Sequence, residues 1–328
     1  MDAFSVITPG AYTTVQDEGR YGYQQMGIPV SGALDSFASR AANILVGNSK
    51  GSAVVEITIL GPRLEILIEA DIAITGAEMG MTLNDQPISG WKSQRVKPGD
   101  ILDIHQVKSG CRAYLGICGG IDVPEVMESR STYTGGRFGG HHGRPLKPGD
   151  ILRSGRSTML GESISWPATQ IPKHSSEINL RAISGPQDDF FIEGLAVLYR
   201  SEFMVSTKAD RMGYRLIGPK IMHRKGMPKS IISEPTMPGG IQIPADEQPI
   251  ILLVEQTVGG YTKIATVIST DIPKIAQSTP GDTIAFDEVS LETAHALYHE
   301  QQKRIQDVEG KLSRYKTSMG PLGPESGK

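Results

Sequence analysis

Apolar and polar residues alternate in short runs along most of this chain. Val54–Leu60, Leu64–Ile68, Ile72–Thr75, Ile101–Ile104, Cys111–Ile117, Phe203–Ser206, Ile250–Val254 and Thr283–Phe286 read as strands. Several of them keep the two-residue period of a half-buried sheet. The longer period of a helix is rarer. Leu34, Phe37, Ala41 and Leu45 mark one helix, stopped by Gly47-Asn48. Pro186, followed by Gln187, Asp188 and Asp189, opens a short second one, since proline and carboxylates suit a helix N-terminus. The clearest is Leu291–Val308, with Ser290 as N-cap. Its face of Leu291, Ala294, Tyr298, Ile305 and Val308 predicts packing across the outside of a barrel.

Turn signals separate these runs. The 38 glycines and 21 prolines are spread through all 328 residues, which fits many short strands joined by tight turns and a mainly β fold. Lys97-Pro98-Gly99-Asp100 returns as Lys147-Pro148-Gly149-Asp150 and, more weakly, as Thr279-Pro280-Gly281-Asp282. Each is a Pro-Gly turn ahead of an apolar strand, and the geometric demands of that turn explain the repeat. Gly119-Gly120-Ile121 is echoed by Gly239-Gly240-Ile241. Two related β domains in tandem are therefore predicted, at 1–165 and 177–310, with the boundary in the polar stretch Trp166–Ser176. The tail 311–328 lacks an apolar pattern and is predicted to be disordered.

Composition narrows the function classes. With 38% hydrophobic and 21% charged residues the chain is globular, and its net charge of -3 argues against a nucleic-acid surface. No basic segment followed by an apolar run opens the sequence, and no stretch approaches the ~20 apolar residues that span a bilayer. Cys111 and Cys118 stand at an odd offset, which on a strand points them to opposite faces, so neither a disulfide nor a shared metal site is expected. A cytoplasmic protein is the expectation.

Four polar clusters carry the candidate chemistry. The first runs from Thr14 through Asp17 and Arg20 to Gly22, Gly27, Gly32 and Asp35. It reads equally as an anion-binding loop and as turns with Asp17 and Arg20 paired locally. The second, Ser129 to Arg144, sets Arg130, Arg137 and Arg144 among glycines, with Ser131 and Tyr133 between them. Guanidinium groups in such a loop suit carboxylate or phosphate. His141-His142 within it is a poor metal site, because adjacent histidines rarely ligate one ion. In the third, Asp210-Arg211, the aspartate orients the arginine, acts as a base, or shapes a turn. The fourth, Glu255 to Lys263, follows an apolar strand and offers Gln256, Gly259, Gly260 and Lys263 for substrate contact. His295 and His299 share a helix face but lack the glutamate of a zinc motif. The P-loop, the dinucleotide fingerprint and the nucleophile elbow are all absent, as is the Met-Lys pair of a biotin attachment site.

Taken in order, TVQDEGRYGYQQMGIPVSGALD, AANILVGN, SRSTYTGGRFGGHHGR, ADRMGYRL and EQTVGGYTKIATV resemble the KipA-type proteins. These are also described as the C-type subunits of 5-oxoprolinase and as allophanate-hydrolase subunit 2-like, biotin-dependent carboxyltransferase-type proteins. The resemblance runs from about Thr8 to Phe286. It implies two tandem cyclophilin-like β-barrel domains with a few peripheral helices. It also implies two partners, a KipI-type (B-type) subunit and a YcsF/LamB-type (A-type) one. With them, 5-oxo-L-proline is opened to L-glutamate at the expense of ATP. ATP is then held jointly with, or by, one of the partners. Asp17, Arg20, Arg130, Arg144, Asp210 and Arg211 become the expected catalytic set, with Ser131, Tyr133, Gln256, Gly259, Gly260 and Lys263 binding substrate. The same resemblance admits a carboxyltransferase that uses biotin carried on another protein, and a non-enzymatic antagonist of a KipI-type inhibitor of a sporulation histidine kinase. Glu128, Ala209, Val258 and Thr262 stand where family members commonly carry Gly, Ser, Thr and Pro.

Overall fold

The computed structural model describes residues 1–156 and 159–317. Nine strands come from its first half: β1 (Asp2–Thr8), β2 (Tyr12–Gln16), β3 (Val54–Thr58), β4 (Arg63–Ile66), β5 (Ala70–Leu83), β6 (Gln86–Pro87), β7 (Ser93–Val96), β8 (Ile101–Ile117) and β9 (Ile151–Arg153). They form one sheet in the order β2-β3-β8-β4-β1-β9, and β5 joins it through β8. The long β5–β8 pair runs from Ile72↔Ile117 to Leu83↔Leu102, and three register shifts between Gly76 and Met81 bend it. The result is a curled half-barrel. Helix α1 (Ser36–Leu45) lies on β5 and β8, burying Ala38, Ala41, Ala42, Ile44 and Leu45. Asp35 caps it, accepting the Ala38 N–H at 2.9 Å.

The second half supplies β10 (Glu177–Ser184), β11 (Phe203–Ala209), β12 (Gly213–Ile217), β13 (Ser230–Pro235), β14 (Gly240–Ile243), β15 (Ile250–Leu252), β16 (Val258–Val267) and β17 (Thr283–Glu288). Seven of these close into a barrel, β10-β17-β11-β12-β15-β14-β16, because β16 pairs back onto β10. The eighth, β13, hangs on the outer part of β16. Helices α2 (Ile192–Arg200) and α3 (Ile272–Ala276) belong to this half, and α4 (Leu291–Thr317) follows it. Among the described residues no helix is long and apolar enough to cross a membrane.

The three Pro-Gly repeats are one turn used three times. Asp100, Asp150 and Asp282 each accept the backbone N–H of the residue three positions earlier, at 2.8, 2.7 and 2.7 Å. Gly99, Gly149 and Gly281 all sit at positive φ, where a side chain is strained. These turns launch β8, β9 and β17. Both cysteines are free and buried.

Two clusters of buried apolar residues correspond to the two sheets, and they exchange members. Leu34, from the first half of the chain, sits in the core of the closed barrel. Ile305 and Val308 of α4 sit in the core of the half-barrel. This corrects the expected helix face: Leu291 and Tyr298 are exposed, and only the later turns bury apolar side chains. The helix also continues to Thr317, past the Lys311 at which the sequence predicts order to end. The remainder of that predicted tail, 318–328, lies outside the described residues.

Candidate functional site

The fold ties the first two clusters together through one carboxylate. Asp17, at the end of β2, accepts from the Gly19 N–H at 2.8 Å, the Ser129 Oγ at 2.7 Å, the Ser131 Oγ at 2.5 Å and the Arg130 N–H at 2.5 Å. Such charge-assisted bonds lock two loops that are more than a hundred residues apart in sequence. Arg20 lies beside this knot with 0% of its surface exposed. Its Nη2 donates to the Ser131 carbonyl, and its guanidinium carbon stands 5.0 Å from the centre of the Phe138 ring. Gly139 makes room for it, since a β-carbon there would lie 2.7 Å from Nη2. Nε and Nη1 find no acceptor among the described residues. Burial draws the Arg20 pKa below the usual arginine range, against the pull of Asp17 and Glu255.

The first, third and fourth clusters meet at the seam between the two sheets. Arg211, 6% exposed, donates through Nη1 to Glu56, through Nε to Glu255 at 2.5 Å and through Nη2 to the Gly32 carbonyl at 2.7 Å. Glu56 comes from β3 of the half-barrel, and Glu255 from the loop after β15 of the closed barrel. Burial opposes the arginine's charge, but the two carboxylates outweigh it and raise its pKa above the ordinary value. Glu56 Oε2 accepts from the Leu34 N–H at 3.0 Å and the Tyr114 hydroxyl at 2.8 Å. The Tyr114 hydroxyl in turn accepts from the Asp35 N–H at 2.8 Å. Gln277 extends the seam: its amide donates to Asp35 at 2.7 Å, and its oxygen accepts the N–H groups of Cys111 and Arg112 at 2.9 and 3.0 Å. Glu255 bonds only through Oε1 among the described residues, and its charge is felt by both Arg20 and Tyr12. Tyr12, Arg20, Glu255 and Arg211 are therefore linked electrostatically, with Arg211 and Glu255 in direct contact.

The other expected site residues stand apart from it. Lys263 is buried on β16 and bonds Glu234 of β13. Facing Lys263 across the sheet is Gln242, whose Nε2 is buried without a partner among the described residues. Gly259 admits that side chain, because a β-carbon there would lie 2.3 Å from Nε2. The Gly260 backbone lies against the Ile231 carbonyl and the Ser233 Oγ of β13. Gln256 folds back on the Val258 carbonyl at 2.6 Å. Tyr133 packs edge-on against Phe138, with ring centres 5.5 Å apart. Arg130 pairs with Glu125 at 2.6 Å and donates to the Val123 carbonyl. Arg144 grips Asp150 with two bonds of 2.7 and 2.8 Å. Asp210 accepts the Met212 and Gly213 N–H groups at 2.8 and 3.2 Å and shapes an exposed turn.

Sequence reasoning missed Glu56, Glu255, Tyr12, Tyr114 and Gln277. Glu56 did leave a signal, a carboxylate in the middle of the apolar run Val54–Thr58. Such a residue is buried only with a partner. Glu255 lies inside the fourth cluster, where nothing local sets it apart from its neighbour Gln256. Gln277 gave no local signal, because its partners come from the other half of the chain.

A half-barrel joined to a closed seven-stranded barrel, with a charged seam between them, defines the class of fold. Residues 26–288 match the family described as "Carboxyltransferase domain, subdomain A and B", and the chain belongs to that family. It is 37% identical over 310 residues to the C-type subunit of 5-oxoprolinase from Escherichia coli, covering 94% of this chain and 98% of that one. It is 38% identical over 332 residues to "Urea amidolyase" of Lachancea kluyveri, where the match covers 94% of this chain and 18% of the relative. The chain thus spans under a fifth of the urea amidolyases it resembles. Among solved structures, the Kluyveromyces lactis urea carboxylase superimposes with a TM-score of 0.89 at 37% identity, over 93% of this chain and 29% of that one.

Proposed function

We propose that this chain is the C-type subunit of an ATP-dependent 5-oxoprolinase, acting in a complex with its A-type and B-type partners to open 5-oxo-L-proline to L-glutamate. One observation carries the choice. At 37% identity the match takes in 98% of the Escherichia coli C-type subunit. The KipI-type and YcsF/LamB-type partners and a cytoplasmic location belong to the same proposal.

Opening a lactam adds water across the ring C–N bond, the hydroxyl to the carbonyl carbon and a proton to nitrogen. Charge builds on the carbonyl oxygen, and a fixed cation with unspent N–H groups stabilises it. Arg20 is such a cation, and Glu255, whose charge acts on it, bonds through Oε1 alone among the described residues and keeps its second oxygen for proton transfer. Arg211 positions Glu255. The expected site residues offer ATP little: Arg130, Arg144, Arg211 and Lys263 are each bonded to a carboxylate, which leaves no cation cluster for a triphosphate among these four. The nucleotide is therefore assigned to the partner subunits. Glutamate release from 5-oxoproline and ATP by the reconstituted subunits tests the proposal. Release is expected to require this chain, and undiminished release in its absence would contradict the reading.

A carboxyltransferase reading is favoured by the family description and by the likeness to urea carboxylase. In that case the biotin sits on another protein and avidin abolishes the activity. Tight binding of a KipI-type partner without turnover would instead mark a regulatory protein.

A further inference from the structure

A cavity of about 700 Å³ opens where the connector between the two sheets meets α1, α3 and α4. It lies off the Arg20–Glu255 group, and its volume is that of a small-molecule site. Lys173 from the connector, Lys274 from α3 and Arg304 from α4 line it. Asp35 is the lone carboxylate among the lining residues, and Gln277 stands beside it. Phe37 and Pro273 add apolar wall.

The charge balance of this lining is positive. Lys173 has no carboxylate at ion-pair distance among the described residues, and its side chain is exposed. Lys274 reaches Asp271 at 3.2 Å, but that carboxylate already receives two bonds from the Arg181 guanidinium, at 2.9 and 2.5 Å. Two cations thus share one anion. Arg304 pairs with Glu300 on the helix surface, where both side chains are more than half exposed and the attraction is weak. Asp35 does not redress the balance. Burial pushes its pKa up, toward the neutral acid, and its oxygens are occupied by the Ala38 N–H and the Gln277 amide. His174 completes the titratable lining and adds no negative charge at any pH.

We infer that this cavity binds a small organic anion, with a carboxylate or phosphate group facing Lys173, Lys274 and Arg304 and an apolar body against Phe37 and Pro273. Three cations from three separate elements line one hollow, and such groups are how proteins recognise carboxylate and phosphate. The site is distinct from the proposed reaction site and does not depend on which reaction the chain serves.

Calorimetric titration of the full chain at 150 mM salt, once with malonate and once with inorganic phosphate, tests the inference. At least one of the two is expected to saturate at one equivalent per chain, and the anion that does so identifies the preferred headgroup. The double substitution Lys173→Glu, Arg304→Glu is expected to weaken that binding at least tenfold. Lys50→Glu, a charge reversal on an exposed turn of the half-barrel, is expected to leave it unchanged. If the double variant misfolds, Lys173→Glu alone gives the reading, because that side chain makes no ion pair among the described residues. Absence of saturable binding by both anions, full binding by a folded Lys173→Glu chain, or equal weakening by Lys50→Glu would each overturn the site.

Discussion

Arg211 and Arg144 both lie in glycine-rich polar clusters, and the structure uses them in opposite ways. Arg144 closes a local loop by pairing with Asp150, six residues along the chain. Arg211 reaches Glu56 from 155 residues away and Glu255 from 44, and so joins the two sheets. The first pair is partly exposed and organises one turn. The second is buried, and without it two carboxylates would be stranded in a low-dielectric seam. Composition alone cannot distinguish these arginines; the length of the contact does.

The largest expected effect is therefore Arg211→Met. It leaves Glu56 and Glu255 buried and unpaired, and is predicted to destabilise the fold by about 3–5 kcal/mol in urea unfolding. Loss of both transitions at once would show that the seam couples the sheets. Asp17→Ala comes next, at about 2–4 kcal/mol, since two hydroxyls and two N–H groups lose their acceptor. A loss under about 1 kcal/mol would mean that the knot re-forms around water. Arg144→Ala is expected to cost about 1 kcal/mol, and the partly exposed Arg130→Ala about 0.5 kcal/mol or less. Equal losses at Arg144 and Arg211 would erase the contrast.

Acid sharpens the same comparison. Arg144 holds the Asp150 carboxyl well below the usual carboxylate range. A lowered native pKa stabilises the fold above the unfolded value of about 3.9, and that contribution is lost as the pH falls through the native value. Stability measured from about pH 4 to pH 2 is thus predicted to fall less steeply in Asp150→Asn than in the parent chain.

The parts of the fold that were legible in sequence are those set by neighbours. The Lys-Pro-Gly-Asp turns and Ser290 as an N-cap, whose Oγ accepts the Thr293 N–H at 3.2 Å, follow from residues within a few positions of each other. The first helix, by contrast, starts at Ser36 behind its Asp35 cap and not at Leu34, which the closed barrel buries. Strand ends were harder. β8 runs unbroken from Ile101 to Ile117, although polar residues interrupt the apolar pattern in its middle. Pairing with β5, through its bulges, keeps that stretch extended. The site was legible in part. Asp17, Arg20 and Ser131 stand out in two separate clusters of the sequence and meet in space, whereas Glu56, Glu255 and Gln277 depend on partners that only the assembled seam provides. In α4 the apolar period marks Ile305 and Val308, which the half-barrel buries, but also Leu291 and Tyr298, which find no cover.

On the proposed function, proton transfer at the seam rests on Glu255, and a single substitution in the reconstituted subunits tests it. Glu255→Gln keeps the shape and a hydrogen-bond acceptor for Arg211 but cannot shuttle a proton. The prediction is a fall in kcat of about 10²-fold or more, with KM changed little and the chain still folded. An undiminished kcat in a folded Glu255→Gln complex would contradict it.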